Sequence, residues 1–386
     1  MELGLIIVFW AALAGMLWTY AGYPVAMRLW ARWRPCSVRT GAAAGAGRTA
    51  VLMASHGEGA RLLTKLQELS EAARTEPIHD IWVGLDGEEM AATPGLLEWV
   101  TAQSSLVHVR AFPEQRGKPS VLNALMAEAQ EADIFIMMDV RQRVEAGAVS
   151  RLLEPFADES VGVVSGELVY ESPDGGVQKG AQSYWAYEKN LRAAESRVWA
   201  VPGATGALYA IRRALCRPFP ADTLDDDVLL PMRAVLAGKR CLFQPGAVAW
   251  DAAQARFDRE GRRKRRTLAG IWQLLRLEPR LLSPVANPIW GRFLSHKVMR
   301  LWTPFLSFFL LVTSAGLCGL SGHWLWKMAC GLVAGGGALS ALSVVLARYT
   351  QSRGLGFLGT AWTLHVVLLQ AAWDAVRGAF DAKWKT

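Results

Sequence analysis

What this chain lacks narrows its class first. It has no CxxC pair and no Cys/His spacing of the kind that holds zinc. Its five cysteines (Cys36, Cys216, Cys241, Cys318 and Cys330) form an odd, scattered set, which reads as reduced thiols in a cytosolic or membrane setting. There is no internal repeat. Gly203-Ala204-Thr205-Gly206 is glycine-rich but lacks GxGxxG spacing after a strand, so it is no dinucleotide fingerprint. No basic stretch precedes the first apolar run and no small-residue cleavage site follows it, so a removable signal peptide is not expected. At 52% hydrophobic and 20% charged, the chain is too apolar for disorder and too charged for an all-membrane protein.

What is present is a basic protein of 386 residues with 17 Trp and a formal charge of +8, long enough for two or three units. Positive charge clusters beside apolar segments, as at Arg28, Arg32, Arg34 and Arg39. That distribution favours an anionic membrane surface over nucleic acid. Residues 3–23 are apolar without a charge, enough to cross a hydrocarbon core of roughly 30 Å. The basic run after them places Arg28 onward on the cytoplasmic side. Three further apolar spans are expected near 302–320, 325–347 and 355–373, with Trp residues near their ends. Gly331 and Gly335 form a GxxxG, which permits close helix packing. Three spans after the catalytic region would leave Arg377, Lys383 and Lys385 outside, against the positive-inside rule; either the last span does not cross or the short tail overrides the rule.

Between the apolar ends the pattern alternates strand and helix. Strands are expected at 50–54, 78–85, 106–110 and 134–138, and helices at 61–73, 120–129 and 228–236. This rhythm implies an α/β domain, a mostly parallel sheet with helices on both faces, whose ligands sit beyond the carboxyl ends of the strands. Asp86 and Asp139 both occupy that edge. The expected organisation is an N-terminal transmembrane helix (1–25), a basic juxtamembrane linker (26–48) holding the flexible 41–47 stretch, and a catalytic domain (49–267). Amphipathic interfacial helices (268–300), about three transmembrane helices (301–374) and a basic tail (375–386) follow.

Several residues carry chemistry in this pattern. Asp86-Gly87 ends a strand; its carboxylate suits a base or ribose, and an Asx-turn or helix cap is the plainer alternative. Ser55-His56-Gly57-Glu58 adds a second acid at the same edge. Asp139 ends a fully apolar strand, where an acid is costly unless solvated or liganded, and it suits a divalent cation bridging diphosphate oxygens. Two positions on stands Arg141, which either binds phosphate directly or pairs with Asp139. Arg116-Gly117-Lys118 is a phosphate-binding loop or a solvated one. Asn123 and His365 read more simply as structural, His365 bridging two helices. Asp225-Asp226-Asp227 precedes an apolar helix; it either caps that helix or is a cluster whose repulsion raises a pKa, as a general base requires. Four consecutive cations, Arg263 to Arg266, surround a helix, so some must face the protein.

Taken together, these residues resemble the membrane-embedded, inverting family 2 glycosyltransferases, among them cellulose and hyaluronan synthases. The resemblance covers roughly 49–300 plus the flanking spans and implies a GT-A-like fold. It implies that Glu58 and Asp86 contact the nucleoside, and that Arg116, Lys118, Arg141, Arg263 and Arg266 lie near the diphosphate. It further implies that Asp139 is the first acid of a DxD metal motif for Mg2+ or Mn2+. Asp226-Asp227 resembles the Glu-Asp pair, with Asp227 the base that deprotonates the acceptor hydroxyl. Gly203, Thr205 and Gly206 stand on the acceptor side. The implied reaction moves a sugar from a nucleotide sugar, a UDP-sugar first among them, to a polysaccharide or lipid-linked acceptor. It implies a multi-pass protein of the inner membrane with its catalytic domain cytoplasmic, and four spans suggest a homo-oligomer or partner subunit where a pore is needed. Arg141, Gly57, Arg263 and Thr267 depart from the family's acid, Asn, Gln and Trp. The rival class is an inactive membrane scaffold that keeps the fold and binds nucleotide or a partner.

Overall fold

The computed structural model describes residues 1–87, 93–103, 105–171, 179–252, 257–346 and 353–380. Glu88, Glu89, Lys383 and Lys385 lie outside them. The centre is one eight-stranded sheet in the order β3-β2-β1-β4-β7-β6-β8-β5. Its strands are β1 (Thr49–Ser55), β2 (Asp80–Asp86), β3 (Val107–Phe112), β4 (Ile134–Met138), β5 (Arg143–Val144), β6 (Val161–Glu171), β7 (Leu208–Arg212) and β8 (Arg240–Ala252). The four expected strands form the parallel half, β3-β2-β1-β4. The other half was not expected. β7 runs antiparallel to β4 and β6, β6 and β8 are parallel, and β5 is antiparallel to β8, so the sheet is mixed.

Alternation along the strands explains why both faces are covered. In β1, Ala50, Leu52 and Ala54 enter one core while Val51 and Met53 enter the other. In β4, Phe135 and Met137 go to the first core and Ile134, Ile136 and Met138 to the second. A strand apolar on both faces needs a helix layer on each side. The helices, in chain order, begin with α1 (Glu2–Leu17) and α2 (Tyr23–Trp33), then α3 (Ala60–Ala72), α4 (Leu96–Ala102), α5 (Lys118–Glu128) and α6 (Ala148–Leu153). They continue with α7 (Lys179–Val198), α8 (Asp226–Leu236), α9 (Phe257–Leu277), α10 (Trp290–Phe293) and α11 (Met299–Leu301). α3 brings Leu62, Leu66 and Leu69 to the second core, and α5 brings Val121, Leu122 and Leu125 to the first.

α1 and α2 join through a π-helical turn into one helix, Glu2–Trp33, that crosses out of the apolar segment. Its far end packs Tyr23, Met27 and Ala31 on Leu191, Ala194 and Val198 of α7. The C-terminal helices are α12 (Thr303–Ser321), α13 (Trp324–Leu346) and α14 (Arg353–Arg377). Among the described residues three helices are long and apolar enough to cross a membrane: Glu2–Trp33, α12 and α13. α14, the third expected C-terminal span, is not one of them; it carries Asp374, which takes a two-pronged bond from Arg265 of α9 at 2.6 Å on each oxygen. His365 bridges α14 and α12 through Ser307 Oγ at 3.0 Å, the structural role expected of it. Among the described residues no heavy atom lies within 4 Å of a Cβ placed on Gly331 or Gly335, so the GxxxG meets no close helix partner there. α9 runs across position 267, so the expected domain boundary there falls inside a helix.

Candidate active site

The site lies at the carboxyl edge of the parallel strands, as open α/β sheets require. Asp86 ends β2 and is fully buried. Its two carboxylate oxygens accept the backbone N–H groups of Arg116 (2.6 Å) and Gly117 (2.8 Å). These bonds are long-range, unlike the Asx-turn weighed as the plainer alternative: Asp86 holds the Arg116-Gly117-Lys118 loop against the sheet edge. Gly117 has φ +85, a conformation that L side chains avoid, and it turns the chain into α5. Lys118 therefore starts α5 with its side chain directed across the edge. His56, after β1, bonds the Asp86 carbonyl through Nδ1 at 2.6 Å, and Gln115 Nε2 lies 3.3 Å from His56 Nε2. Glu58 stays near this end, 3.4 Å from Arg61. Asn123 exchanges two hydrogen bonds with the Phe219 backbone, the structural reading expected for it.

Lys118 gathers the acids. Its Nζ lies 2.9 Å from Asp139 Oδ1 and 3.3 Å from Asp226 Oδ2. Burial opposes the ammonium charge, but Asp139, Asp226 and Asp227 outweigh it and hold the lysine well above its ordinary pKa. Segments more than 80 residues apart thus meet on one cation. The acids at the start of α8 are not helix caps. Asp225 occupies the cap position without a side-chain cap bond. Its carboxylate instead presses on α9: a Cβ placed on Gly270 would come within 2.3 Å of Asp225 Oδ2. Burial and Asp227 push Asp225 up, with Lys297 and Arg266 opposing.

Asp227 is raised to about 6, by burial first and the neighbouring Asp226 second, against the pull of Lys118 and Lys297. The helix N-terminus favours a negative charge there by about 0.3–1 kcal/mol. A rise from 3.8 to about 6 corresponds to about 3 kcal/mol in the other direction, so burial and repulsion win. The Gly203–Gly206 loop is bound to the same residue. Gly206 N–H donates to Asp227 Oδ2 at 2.7 Å, and Ala204 N–H to the Asp227 carbonyl at 2.8 Å. Thr205 N–H bonds Ser165 Oγ at 3.1 Å, and Arg192 of α7 reaches both Ser165 Oγ and the Gly203 carbonyl.

Arg141 does not pair with Asp139. It bonds Asp251 of β8 at 2.8 Å, and Gln142 Nε2 bonds the same oxygen at 3.0 Å. Of the four consecutive cations, Arg263 turns to Tyr170 and Asp251, Arg265 to Asp374, and Arg266 is exposed toward Asp225. Motif reading missed Asp251, Lys65, Arg192 and Lys297. Buried Lys65 of α3 bonds the Gln142 carbonyl at 2.7 Å, and burial lowers it to about 8. Lys297 sits in the π-helical turn before α11, lowered by burial and by Arg192. Asp251 had a related signal, an acid directly after the apolar run Ala247–Trp250, but inside a strand that the periodicity did not show.

Residues 50–218 match the family model described as Glycosyl transferase family 2, a stretch somewhat short of half the chain. Among solved structures, the mannosyltransferase PcManGT from Pyrobaculum calidifontis in complex with GDP-Man and Mn2+ is similar over 96% of this chain and 99% of that one. It has 20% identity and a TM-score of 0.72, which shows the shared GT-A-like fold. GalNAc-T7 with UDP, GalNAc and Mn2+ overlaps 54% of this chain and 44% of that one at 16% identity, with a TM-score of 0.43. No curated protein matches the sequence.

Proposed function

We propose that this protein is an inverting glycosyltransferase that moves a sugar from a nucleotide sugar to a polysaccharide or lipid-linked acceptor at the cytoplasmic face of the inner membrane. One observation carries the reading: Lys118 bridges Asp139 and Asp226 beside Asp227, so acids from separate segments share one cleft. The Asp227 carboxylate, raised to about 6, is ionised at neutral pH yet basic enough to take a proton. It removes the acceptor hydroxyl proton as that oxygen attacks the anomeric carbon. The bond from that carbon to the diphosphate breaks, and the diphosphate leaves among Lys118, Arg141, Arg263 and Arg266. The Gly203–Gly206 loop, bonded to Asp227, fixes the acceptor side. Glu58, His56 and the Asp86-anchored loop line the nucleoside side.

A divalent cation belongs to this reading. Among the described residues no group of three His, Cys, Asp or Glu side chains makes a ready cage. Mg2+ and Mn2+ do not need one: one or two carboxylates plus phosphate oxygens and water suffice, and Asp139 is a partly exposed carboxylate of that kind. When bound, such an ion neutralises charge on the departing diphosphate.

UDP-sugars are the first donors to test, with GDP-mannose beside them because PcManGT was solved with it. Purified protein in lipid is incubated with a panel of nucleotide sugars, with and without Mn2+ or Mg2+, and released nucleotide and product are read by mass spectrometry. One donor should turn over in a metal-stimulated way. Wild-type protein that neither hydrolyses nor transfers any of them belongs instead to the inactive scaffold class.

A further inference from the structure

Asp251 belongs to no motif, yet it is one of the most buried acids near the cleft, its side chain 4% exposed. A buried carboxylate is costly unless paired, so its partners define its role. They come from two distant segments. Arg141 and Gln142 follow β4, and the short β5–β8 ladder, with Arg143 opposite Trp250, sets their loop beside Asp251. Arg263 comes from α9 and reaches the same Asp251 oxygen at 4.0 Å. Its guanidinium also lies 5.8 Å over the ring of Tyr170. Two cations thus converge on one anion, and the trio keeps a net positive charge. Arg141 and Arg263 remain 34% and 42% exposed, so pairing with Asp251 does not seal either side chain from an incoming anion. Arg141 commits one donor to Asp251 out of five N–H groups in a planar fork suited to phosphate.

We propose that Asp251 is a positioning residue that aims Arg141 and Arg263 as a two-arginine clamp on the diphosphate of the nucleotide sugar, beside Asp139. This rests on the glycosyltransferase reading and deepens it: the position where a second metal acid would stand carries a directed cation, steered from β8.

The test is calorimetric binding of UDP and GDP to the full-length protein in EDTA, so that the clamp is read without metal and without turnover. Asp251→Asn is expected to weaken the tighter nucleotide on the order of 30-fold, as for loss of one partner of a buried charge pair. Arg141→Ala is expected to weaken it similarly. In the Arg141→Ala background, Asp251→Asn should weaken binding clearly less than in the wild type, because only its steering of Arg263 is left to lose. Thermal melts check folding, and the double variant relieves any unpaired charge left by the single one. Wild-type affinity in either single variant overturns the proposal, as does an equal effect of Asp251→Asn in both backgrounds. A wild type that binds neither diphosphate with or without Mn2+ overturns the glycosyltransferase reading and the clamp with it, whereas binding that appears only with Mn2+, or that ignores Asp251, overturns the clamp alone.

Discussion

Asp227→Asn separates catalysis from stability and should move them in opposite directions. The amide keeps the shape and can still accept the Gly206 N–H that Asp227 Oδ2 takes at 2.7 Å. It cannot take a proton from an acceptor. Loss of a general base costs about 10²–10⁴ in rate, so kcat should fall into that range with little change in nucleotide affinity. Stability should rise. Asp227 is raised from 3.8 to about 6, so its folded form prefers the proton. That contribution is present in full below pH ~4, is lost as pH rises through about 6, and leaves the ionised carboxylate strained above it. The difference of about two units is worth about 3 kcal/mol, shared with Asp226 through their mutual repulsion. At about 2–4 °C per kcal/mol for a large domain, the variant should melt about 6–12 °C above wild type at pH 8. The gain should vanish at pH 4. The wild-type rate should carry an acid limb near pH 6. The assay pairs thermal melts at both pH values with a released-nucleotide rate profile. Retained turnover, or a variant less stable than wild type at pH 8, refutes the reasoning.

Lys118→Met removes the shared counter-charge of Asp139, Asp226 and Asp227, so kcat/KM should fall about 100-fold or more and any residual acid limb should move above pH 6, read from the pH-rate profile. Gly270→Ala gains about 1 kcal/mol of helix propensity but drives a methyl into Asp225; the variant should be destabilised by about 1–2 kcal/mol, whereas in an Asp225→Ala background the same change should stabilise, both by thermal melt. Chelation with EDTA should slow transfer and added Mn2+ or Mg2+ should restore it, measured as product formed per minute. Asp374→Ala should cost no more than about 1 kcal/mol by melt, because its partner Arg265 is 41% exposed and solvent screens the pair.

The legible half of the fold was the parallel half. β1, β2 and β4 are largely apolar runs that end at turns or acids, and a two-face-buried strand announces itself that way, whereas β3 alternates Val107, Val109 and Ala111 with His108 and Arg110. β6 and β8 hid because glycine and proline interrupt them: Gly166 in β6 and Pro245-Gly246 in β8, near register shifts where the two pair. The acids that meet at Lys118 were legible for a related reason. An acid that closes an apolar strand, or three that crowd a helix start, conflict with the local pattern, and such conflicts mark sites. Their partners were not legible, because Asp251, Lys297 and Gly270 meet the site only through tertiary packing. Asp86 was placed correctly at the edge, but its bonds to the backbone of 116 and 117 could not be read from spacing. Likewise Arg141 is adjacent to Asp139 in sequence, yet β5 pairing hands it to Asp251.

The claim on which the rest depends is that one cleft at the sheet edge grips a nucleotide sugar. A structure of the protein with a non-transferable nucleotide-sugar analogue and Mn2+ tests it most directly. The diphosphate is expected against Lys118 and Arg141, the metal on Asp139, and the anomeric carbon facing Asp227 beside the Gly203–Gly206 loop. An analogue bound elsewhere, or a cleft that stays empty at saturating analogue, would contradict it.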